Sequence, residues 1–225
     1  TDMYKLYLDT SMTYSCGIFE RPEASLREAS IAKYDRICRK LEVSAADHVL
    51  EIGTGWGGFA IHAATHYGCR VTTTTISDRQ HEMAQQRFAA AGLSARTRIL
   101  PGSFRDDPLP QGADTITLVR VLYDHADATV GALLRAAYVA LPPGGRIVVS
   151  EPMSGGDHPD RATDVYFSIY TLAMQTGRTR SGAEIARLLA DAGFSDCQII
   201  PGFRPFVTSV VSATRPRDES AQKSV

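Results

Sequence analysis

Apolar and polar positions along the chain recur with the periods of helices and strands. Apolar residues near helical spacing predict an amphipathic helix from Ser25 to Leu41. Beyond it, strand and helix patterns alternate. The predicted strands are 48–53, 70–76, 96–100, 114–120 and 146–151, and the predicted helices are 57–67, 78–91 and 128–141. This order predicts an α/β fold with a mostly parallel sheet and helices on both faces.

The last third of the chain leaves this simple alternation. We expect an irregular insert at 152–160 and a helix around 161–176. Ser181 is a good N-cap for a further helix, which ends near Gly193. Two more strands would complete a seven-stranded sheet, near 196–200 and 206–213.

These elements predict one domain over residues 1–213. Within it we expect an N-terminal helical cap at 1–42 and an insert on the acceptor side at 152–180. The tail at 214–225 is polar, which is typical of disorder. Neither an internal repeat nor a domain linker interrupts the pattern.

A glycine-rich turn follows the first predicted strand, in Val49-Leu-Glu-Ile-Gly-Thr-Gly-Trp-Gly-Gly58. Gly53 and Gly55 let the backbone turn without a Cβ atom in the way, so a ligand can lie against the main chain. The N–H groups and the positive end of the following helix favour an anionic group. The stretch therefore predicts a ligand site, and a glycine turn without a ligand is the alternative.

Gly53, Gly55 and Gly58 also satisfy the dinucleotide pattern G-x-G-x-x-G. An NAD site expects an acidic residue at the end of the second strand, but residues 71–76 contain none. Glu51 lies instead two residues before the first glycine, where it can face the amino group of a methionine moiety. This placement resembles motif I of class I S-adenosylmethionine (SAM) methyltransferases. The resemblance implies SAM as cofactor and S-adenosyl-L-homocysteine as product.

Composition adds exclusions to this picture. The chain has 225 residues, 44% of them hydrophobic, and a net charge of −1, which gives no electrostatic case for nucleic acid. No apolar run approaches the ~20 residues of a spanning helix, and no signal peptide opens the sequence. The four cysteines are scattered, and His62 and His66 have no third ligand nearby in sequence, so we expect no metal. A cytoplasmic location is the expectation.

Residues 4–100 carry three dense motifs: Tyr-Leu-Asp-Thr-Ser-Met-Thr-Tyr-Ser-Cys at 7–16, His48-Val-Leu-Glu-Ile-Gly-x-Gly-Trp-Gly-Gly-Phe-Ala60, and Thr75-Ile-Ser-x-x-Gln80. They resemble the cyclopropane fatty acid synthase family. The resemblance implies that Tyr14 and Ser15 contact the methionine end of SAM. It also implies that Gly53 and Trp56 line the cofactor, and that Thr75 and Gln80 reach its ribose. Ile76, at the end of the second strand, is a further predicted cofactor contact.

Residues 102–212 carry a different set of motifs. They include Gly102-Ser-Phe-Arg-Asp-Asp-Pro-Leu-Pro-x-Gly-Ala-Asp114, Leu118-Val-Arg-Val-Leu-Tyr-Asp-His125, Ser150-Glu-Pro-Met-Ser-Gly155, Met174-x-x-Gly-Arg178 and Arg204-Pro-Phe-Val-Thr208. This part resembles the bacterial carotenoid (hydroxyneurosporene-type) O-methyltransferases. The resemblance implies that Ser103 and Phe104 form the adenine-binding turn, and Arg120 is a further predicted cofactor contact.

The same resemblance bears on catalysis. These O-methyltransferases commonly place a catalytic His where Tyr123 stands, and the chain retains His125 two residues later. An imidazole with a pKa near 6.5 is a plausible base at neutral pH, whereas a phenol near 10 is a poor one. We therefore predict His125 as base, Tyr123 as positioner or hydrogen-bond donor, and Glu151 as the acid that assists the base. The alternative is that His125 is only a polar residue that caps the loop after the fourth strand.

The two resemblances meet near Leu100–Gly102. A recombined or engineered chain explains this boundary, and so does a natural subgroup. The predicted function is SAM-dependent methylation of a small apolar acceptor, with O-methylation of a hydroxylated lipid or isoprenoid favoured. One alternative is C-methylation of an unsaturated lipid, and another is SAM binding without turnover. The oligomeric state stays open, with a homodimer as one option.

Overall fold

The structure is a computed structural model that describes residues 2–159, 161–200 and 208–218. The chain divides into two compact units, Thr1–Ser103 and Phe104–Val225. This division falls beside the predicted boundary between the two resemblances, near 100–102.

Three helices, a fourth short one and three strands make up the described part of the first unit. In chain order they are α1 (Asp2–Lys5), α2 (Leu26–Leu41), β1 (His48–Ile52), α3 (Gly58–His66), β2 (Arg70–Thr75), α4 (Asp78–Ala90) and β3 (Thr97–Pro101). The strands pair in the order β3-β2-β1, and both pairings are parallel. In register, Glu51 of β1 lies opposite Thr73 of β2.

Burial explains why these segments fold as they do. Four of the five residues of β1 are buried, as expected for a strand in a parallel sheet with both faces covered. The N-cap of helix α2 is Ser25, whose side chain accepts from the Glu28 amide while the Glu28 side chain accepts from the Ser25 amide. This reciprocal capping box satisfies N–H groups that the first turn leaves without partners.

The second unit contains the remaining regular elements of the described chain. They are β4 (Thr115–Val119), a 3₁₀ turn (Leu122–Asp124), α5 (Asp127–Ala140), β5 (Arg146–Glu151), a π-helical turn (Arg161–Val165), α6 (Tyr166–Ala173), α7 (Gly182–Asp191), β6 (Ser195–Ile200) and β7 (Ser209–Thr214). The strand order is β4-β5-β7-β6. The β4–β5 pair is parallel, and β7 runs antiparallel to both of its neighbours.

The core of the second unit lies between its sheet and helices. Apolar side chains of α5, β5 and α7 are buried there, including Leu134, Ile147 and Ile185. Ser181 caps α7 in a second capping box, in which Glu184 accepts from the Ser181 amide. The cap and the helix that it starts were both predicted from sequence, and both are confirmed.

The predicted α/β alternation with seven strands is confirmed within the described residues. The helix expected over 161–176 is shorter than predicted, because it begins as a π turn and its α-helical part ends at Ala173. The last strand spans 209–214 instead of 206–213. Residues 201–207, which include most of the motif at 204–208, and residues 219–225 of the predicted tail lie outside the described residues.

Among the helices that the structure describes, none combines the length and the apolar character needed to cross a membrane.

Replacing Ser181 by Ala should lower the free energy of unfolding by about 1 kcal/mol, because α7 loses the acceptor for its Glu184 amide. Urea unfolding followed by circular dichroism measures the change. Ser168→Ala is the matched control, since Ser168 is exposed within α6, and its effect should stay within about 0.5 kcal/mol. Equal effects of the two substitutions would show that the cap contributes nothing.

Candidate functional site

The glycine turn of the first unit is tied to the neighbouring strand. The amides of Gly53 and Thr54 both donate to the carbonyl oxygen of Thr74, at 3.1 and 3.0 Å. Gly55 has a φ of +54°, and a Cβ added there would lie 3.3 Å from Cε1 of Tyr14. The Tyr14 ring therefore lies against the turn, so the structure brings together two residues that the sequence assigned to the same cofactor.

Glu51 lies beneath this turn with only 5% of its surface exposed. Its Oε2 accepts from the Thr73 hydroxyl at 2.7 Å, and the Thr73 hydroxyl also contacts that of Thr54 at 2.7 Å. Burial raises the pKa of Glu51 from 4.5 to about 8. A nearby cation would favour the ionised carboxylate and offset this shift. The position is therefore suited to a ligand that carries an ammonium group.

An aromatic layer covers the same region. The Tyr4 ring lies 5.8 Å from that of Trp56 and 6.0 Å from that of Tyr14, measured between centroids. Trp56 is 6% exposed, and its buried Nε1 has no hydrogen-bond partner among the described residues. A buried donor without a partner costs free energy, so a ligand with an acceptor at this position would bind more tightly. Ser15, the neighbour of Tyr14, accepts from Nζ of Lys33 at 2.5 Å.

The ends of β2 and β3 supply the other predicted cofactor contacts of this unit. The Thr75 hydroxyl donates to Oε1 of Gln80 at 2.9 Å, and Ile76 is 80% exposed directly after β2. The amide of Gly102 donates to the Thr75 carbonyl oxygen at 3.0 Å, and Ser103 follows it. Because parallel strands end at one edge of a sheet, these residues and the glycine turn share that edge.

In the second unit, the loop after β4 is hydrogen-bonded to a buried carboxylate. Glu151, at the end of β5, is 0% exposed, and its Oε2 accepts from the amides of Leu122 and Tyr123 at 2.9 and 3.3 Å. Its Oε1 has no partner among the described residues. Burial raises the pKa of Glu151 to about 7, although the two amides and Arg180 act in the opposite direction. Its described hydrogen bonds thus go to the loop backbone rather than to the imidazole of His125.

Tyr123 is packed among aromatic rings and a guanidinium group. Its ring centroid lies 6.0 Å from that of Phe167 and 5.7 Å from that of Tyr170. Arg120, at a φ of +57°, lies 5.5 Å above the Tyr123 ring and donates to its hydroxyl at 3.4 Å. Burial raises the pKa of Tyr123 above its ordinary value. The phenol therefore stays protonated at neutral pH, which suits a hydrogen-bond donor.

His125 contacts the two residues that follow Ser103. Its ring lies 5.1 Å from that of Phe104 in an edge-to-face arrangement, and its Nδ1 lies 2.9 Å from Nη2 of Arg105. A guanidinium group only donates, so Nδ1 must be the acceptor and the neutral ring carries its proton on Nε2. Burial lowers the pKa of His125, with Arg105 and Arg180 adding to the effect. His125 can therefore act as a base only after Arg105 moves away from Nδ1, so that this nitrogen can accept a proton.

Several residues of this region were not predicted. Phe167 and Tyr170 of α6 pack on Tyr123, and Arg105 contacts His125. Arg180 is fully buried and bonded to the loop backbone. The contacts between α6 and the loop join segments more than forty positions apart in the chain, so no local pattern could have revealed them. The sequence signal for Arg180 was its position directly before the predicted helix cap Ser181.

Over residues 2–159, 161–200 and 208–218, no group of three or more His, Cys, Asp or Glu side chains could hold a metal ion.

Comparisons with known proteins support both resemblances. The sequence model of the mycolic acid cyclopropane synthetase family matches residues 1–195. Demethylspheroidene O-methyltransferase from Cereibacter sphaeroides is 48% identical over 180 residues, which are 80% of this chain and 48% of that protein. The chain thus spans about half the length of the curated O-methyltransferases that it matches. The predicted recognition of both families is confirmed.

Solved structures agree with the fold. Human N-acetylserotonin methyltransferase, crystallised with SAM, has a TM-score of 0.69 at 27% identity and covers 84% of this chain and 54% of its own. The mycolic acid cyclopropane synthase CmaA1 has a TM-score of 0.73 at 23% identity and covers 88% of this chain and 73% of its own. The predicted class I methyltransferase fold is confirmed.

Raising the pH from about 4.5 to about 8 should lower the free energy of unfolding through Glu51. The folded chain keeps the Glu51 proton up to a pKa of about 8, whereas the unfolded chain releases it near 4.5. The unfolded state therefore binds fewer protons in this window, and the loss is complete above it. Urea unfolding at pH 5 and pH 8 should show a smaller decrease for Glu51→Gln than for the parent. An identical pH dependence in both proteins would contradict the raised pKa.

Replacing Arg105 by Met should raise the pKa of His125, because it removes a cation that disfavours the imidazolium. An NMR titration of the His125 ring protons measures this without any substrate. Arg105→Lys keeps the charge and is the control, with a pKa near that of the parent. An unchanged pKa in the Met variant would mean that the Arg105 contact does not govern this imidazole.

Proposed function

The chain belongs to the mycolic acid cyclopropane synthetase family, and from this premise we propose that it is a SAM-dependent methyltransferase that methylates the hydroxyl group of an isoprenoid. The similarity to demethylspheroidene O-methyltransferase, 48% identical over 80% of this chain, carries the choice of acceptor and of O-methylation. An apolar small molecule is the corresponding acceptor class.

The residues of the first unit fit SAM. Buried Glu51 can pair with the amino group of the methionine moiety, and its raised pKa is the cost that such a cation would offset. The buried N–H of Trp56 has no partner among the described residues, so an acceptor atom of the cofactor would satisfy it. At the ends of β2 and β3, exposed Ile76 and the Ser103 turn suit the adenosine part of the cofactor.

When bound, SAM supplies a sulfonium methyl group that is already reactive, so the protein contributes position and a base. In this proposal the Tyr123 phenol donates a hydrogen bond to the acceptor. Nδ1 of His125 would accept the proton of the acceptor hydroxyl once Arg105 has left that nitrogen. The hydroxyl oxygen could then bond to the methyl carbon of bound SAM while the bond from that carbon to sulfur breaks, with S-adenosyl-L-homocysteine as the leaving group. Arg120 holds Tyr123 in place. Glu151 supports the reaction indirectly, through the Leu122 and Tyr123 amides.

C-methylation of an unsaturated lipid is the second candidate, and the match to the cyclopropane synthetase model over residues 1–195 favours it. Such a reaction needs a group that removes a proton from the methylated alkene. The resemblance to the cyclopropane fatty acid synthases implies a bicarbonate ion for this role, with Cys16 as part of the shell around it, and Cys16 is exposed in the structure. SAM binding without turnover is the third possibility, because Tyr123 stands where the O-methyltransferases commonly place a catalytic His.

The remaining expectations also stand as proposals. They are a single domain over 1–213 with a cap at 1–42 and an insert at 152–180, a cytoplasmic location, and a homodimer as one option for the oligomeric state. The predicted disorder of the tail at 214–225 does not hold for its described part, because Thr214 ends β7 and Arg215 donates to the carbonyl oxygens of Tyr138 and Leu141.

Reaction with SAM carrying a trideuterated methyl group distinguishes the three candidates. A hydroxylated acyclic carotenoid should gain all three deuterium atoms as a methoxy group, visible by mass spectrometry and NMR. An unsaturated phospholipid supplied in parallel should stay unchanged. Transfer to the phospholipid with loss of one deuterium would instead establish cyclopropanation. Binding of SAM without product from either acceptor would favour the third candidate.

Glu51→Gln should weaken SAM binding about tenfold or more, because a hydrogen bond to a charged group contributes about 1.5–3 kcal/mol. Isothermal titration calorimetry measures the affinity directly. Glu82→Gln, on the exposed side of α4, removes an equal charge away from the turn and should bind like the parent. Equal losses in both variants would point to net charge rather than to a contact with the ammonium group.

A further inference from the structure

The loop that carries Tyr123 and His125 makes few backbone hydrogen bonds within itself. The amides of Asp124 and His125 close short turns on Val121 and Leu122. Other described bonds come from outside the loop: Glu151 accepts from two amides, and side chains of residues 176 and 180 donate to three carbonyl oxygens. The loop position therefore depends on side chains from distant segments.

Arg180 supplies two of these external bonds. It is 0% exposed, and its guanidinium donates to the carbonyl oxygens of Leu122 at 3.0 Å and of His125 at 2.8 Å. It also donates to Oδ1 of Asp127 from Nε and Nη2, at 2.9 and 2.7 Å. One side chain thus joins both ends of the loop to the first turn of α5.

Gly177 fixes the same loop by close approach. It has a φ of +81°, and a Cβ added there would lie 2.1 Å from the Tyr123 carbonyl oxygen and 2.7 Å from the His125 amide nitrogen. Its neighbour Thr176 donates its hydroxyl to the carbonyl oxygen of Asp124 at 2.9 Å. Any larger residue at 177 would have to push the loop away.

We propose that Thr176, Gly177 and Arg180 form a clamp that positions the 122–126 loop, with Arg180 as a positioning residue for Tyr123 and His125. The catalytic meaning of the clamp rests on the proposed function, whereas its effect on the loop does not. The clamp acts on the backbone of the loop, so it sets where the Tyr123 phenol and the His125 imidazole lie without touching the acceptor.

The charge of Arg180 makes the clamp rigid. A buried guanidinium is tolerated only when its donors are satisfied, and the described contacts of Arg180 include Asp127 and three carbonyl oxygens. Moving the loop would therefore remove acceptors from a buried cation. Arg178 differs, because it is half-exposed and its side chain bonds to the carboxylates of Asp127 and Glu184 but not to the 122–125 backbone.

The loop position can be read directly by ¹⁹F NMR, with 3-fluorotyrosine placed at Tyr123. Arg180→Met and Gly177→Ala should both shift this resonance, because each removes or displaces a backbone contact of the loop. Two matched controls should keep the parental resonance. They are Arg178→Met, and Gly112→Ala at a φ of +88° with no atom within 4 Å of the added Cβ.

Methyl transfer gives the second readout. Displacing Tyr123 and His125 by about 1 Å should lower kcat roughly ten- to a hundredfold, with a smaller change in KM. A purely structural role would instead lower thermal stability and leave kcat per folded molecule unchanged. Arg180→Lys, which keeps the charge but loses the planar fork, should recover part of kcat.

Parental resonances and parental kcat in folded Arg180→Met and Gly177→Ala would overturn the clamp. If Arg180→Met does not fold, the test uses Arg180→Lys and Gly177→Ala instead. Parental resonances in both of these variants would overturn the clamp. The ¹⁹F signal needs neither SAM nor acceptor. A parent protein without methyl transfer but with shifted resonances in the variants would therefore refute the proposed function and leave the clamp standing.

Discussion

Parallel pairing of neighbouring strands is the constraint on which the candidate site depends. In a parallel pair the carboxyl ends lie at one edge, so the residues that follow β1, β2 and β3 meet although about twenty-five positions separate consecutive strands. The same rule places the loop after β4 beside Glu151 at the end of β5. Each unit thus gathers its polar groups at a strand-end edge.

That arrangement brings two carboxylates into the protein interior. Burial raises the pKa of Glu51 to about 8 and that of Glu151 to about 7, so both are unfavourable as charges near neutral pH. The two groups differ in what offsets this cost. Glu151 already accepts from two backbone amides, whereas the described hydrogen bond of Glu51 comes from the Thr73 hydroxyl. A ligand with a cationic group would therefore gain more binding free energy at Glu51 than at Glu151.

The two resemblances in the chain correspond to two compact units. Residues up to Ser103 form one unit and those from Phe104 form the other, and the motifs change character near residue 101. The family model nevertheless extends across this boundary to residue 195. A common fold explains both observations, because two families that share one strand order can contribute different segments without a change of topology.

Local patterns in the sequence determined most elements of the fold and the class of cofactor. The spacing of apolar residues located the main helices and all seven strands within a few positions, Ser181 marked the start of α7, and the glycine turn with Glu51 pointed to the cofactor class. The predicted bounds of the helix near 166–173 and of β7 were less accurate.

The loop around Tyr123 was decided by tertiary structure. Arg105 at Nδ1 of His125, the rings of α6 on Tyr123, and Arg180 beneath the loop all come from segments remote in sequence. By itself the sequence determined which residues end each strand, because strand and turn propensities act over a few neighbouring positions. Only the tertiary structure decided which of those side chains are buried, paired or held in place, because burial and hydrogen bonding depend on distant segments packing together.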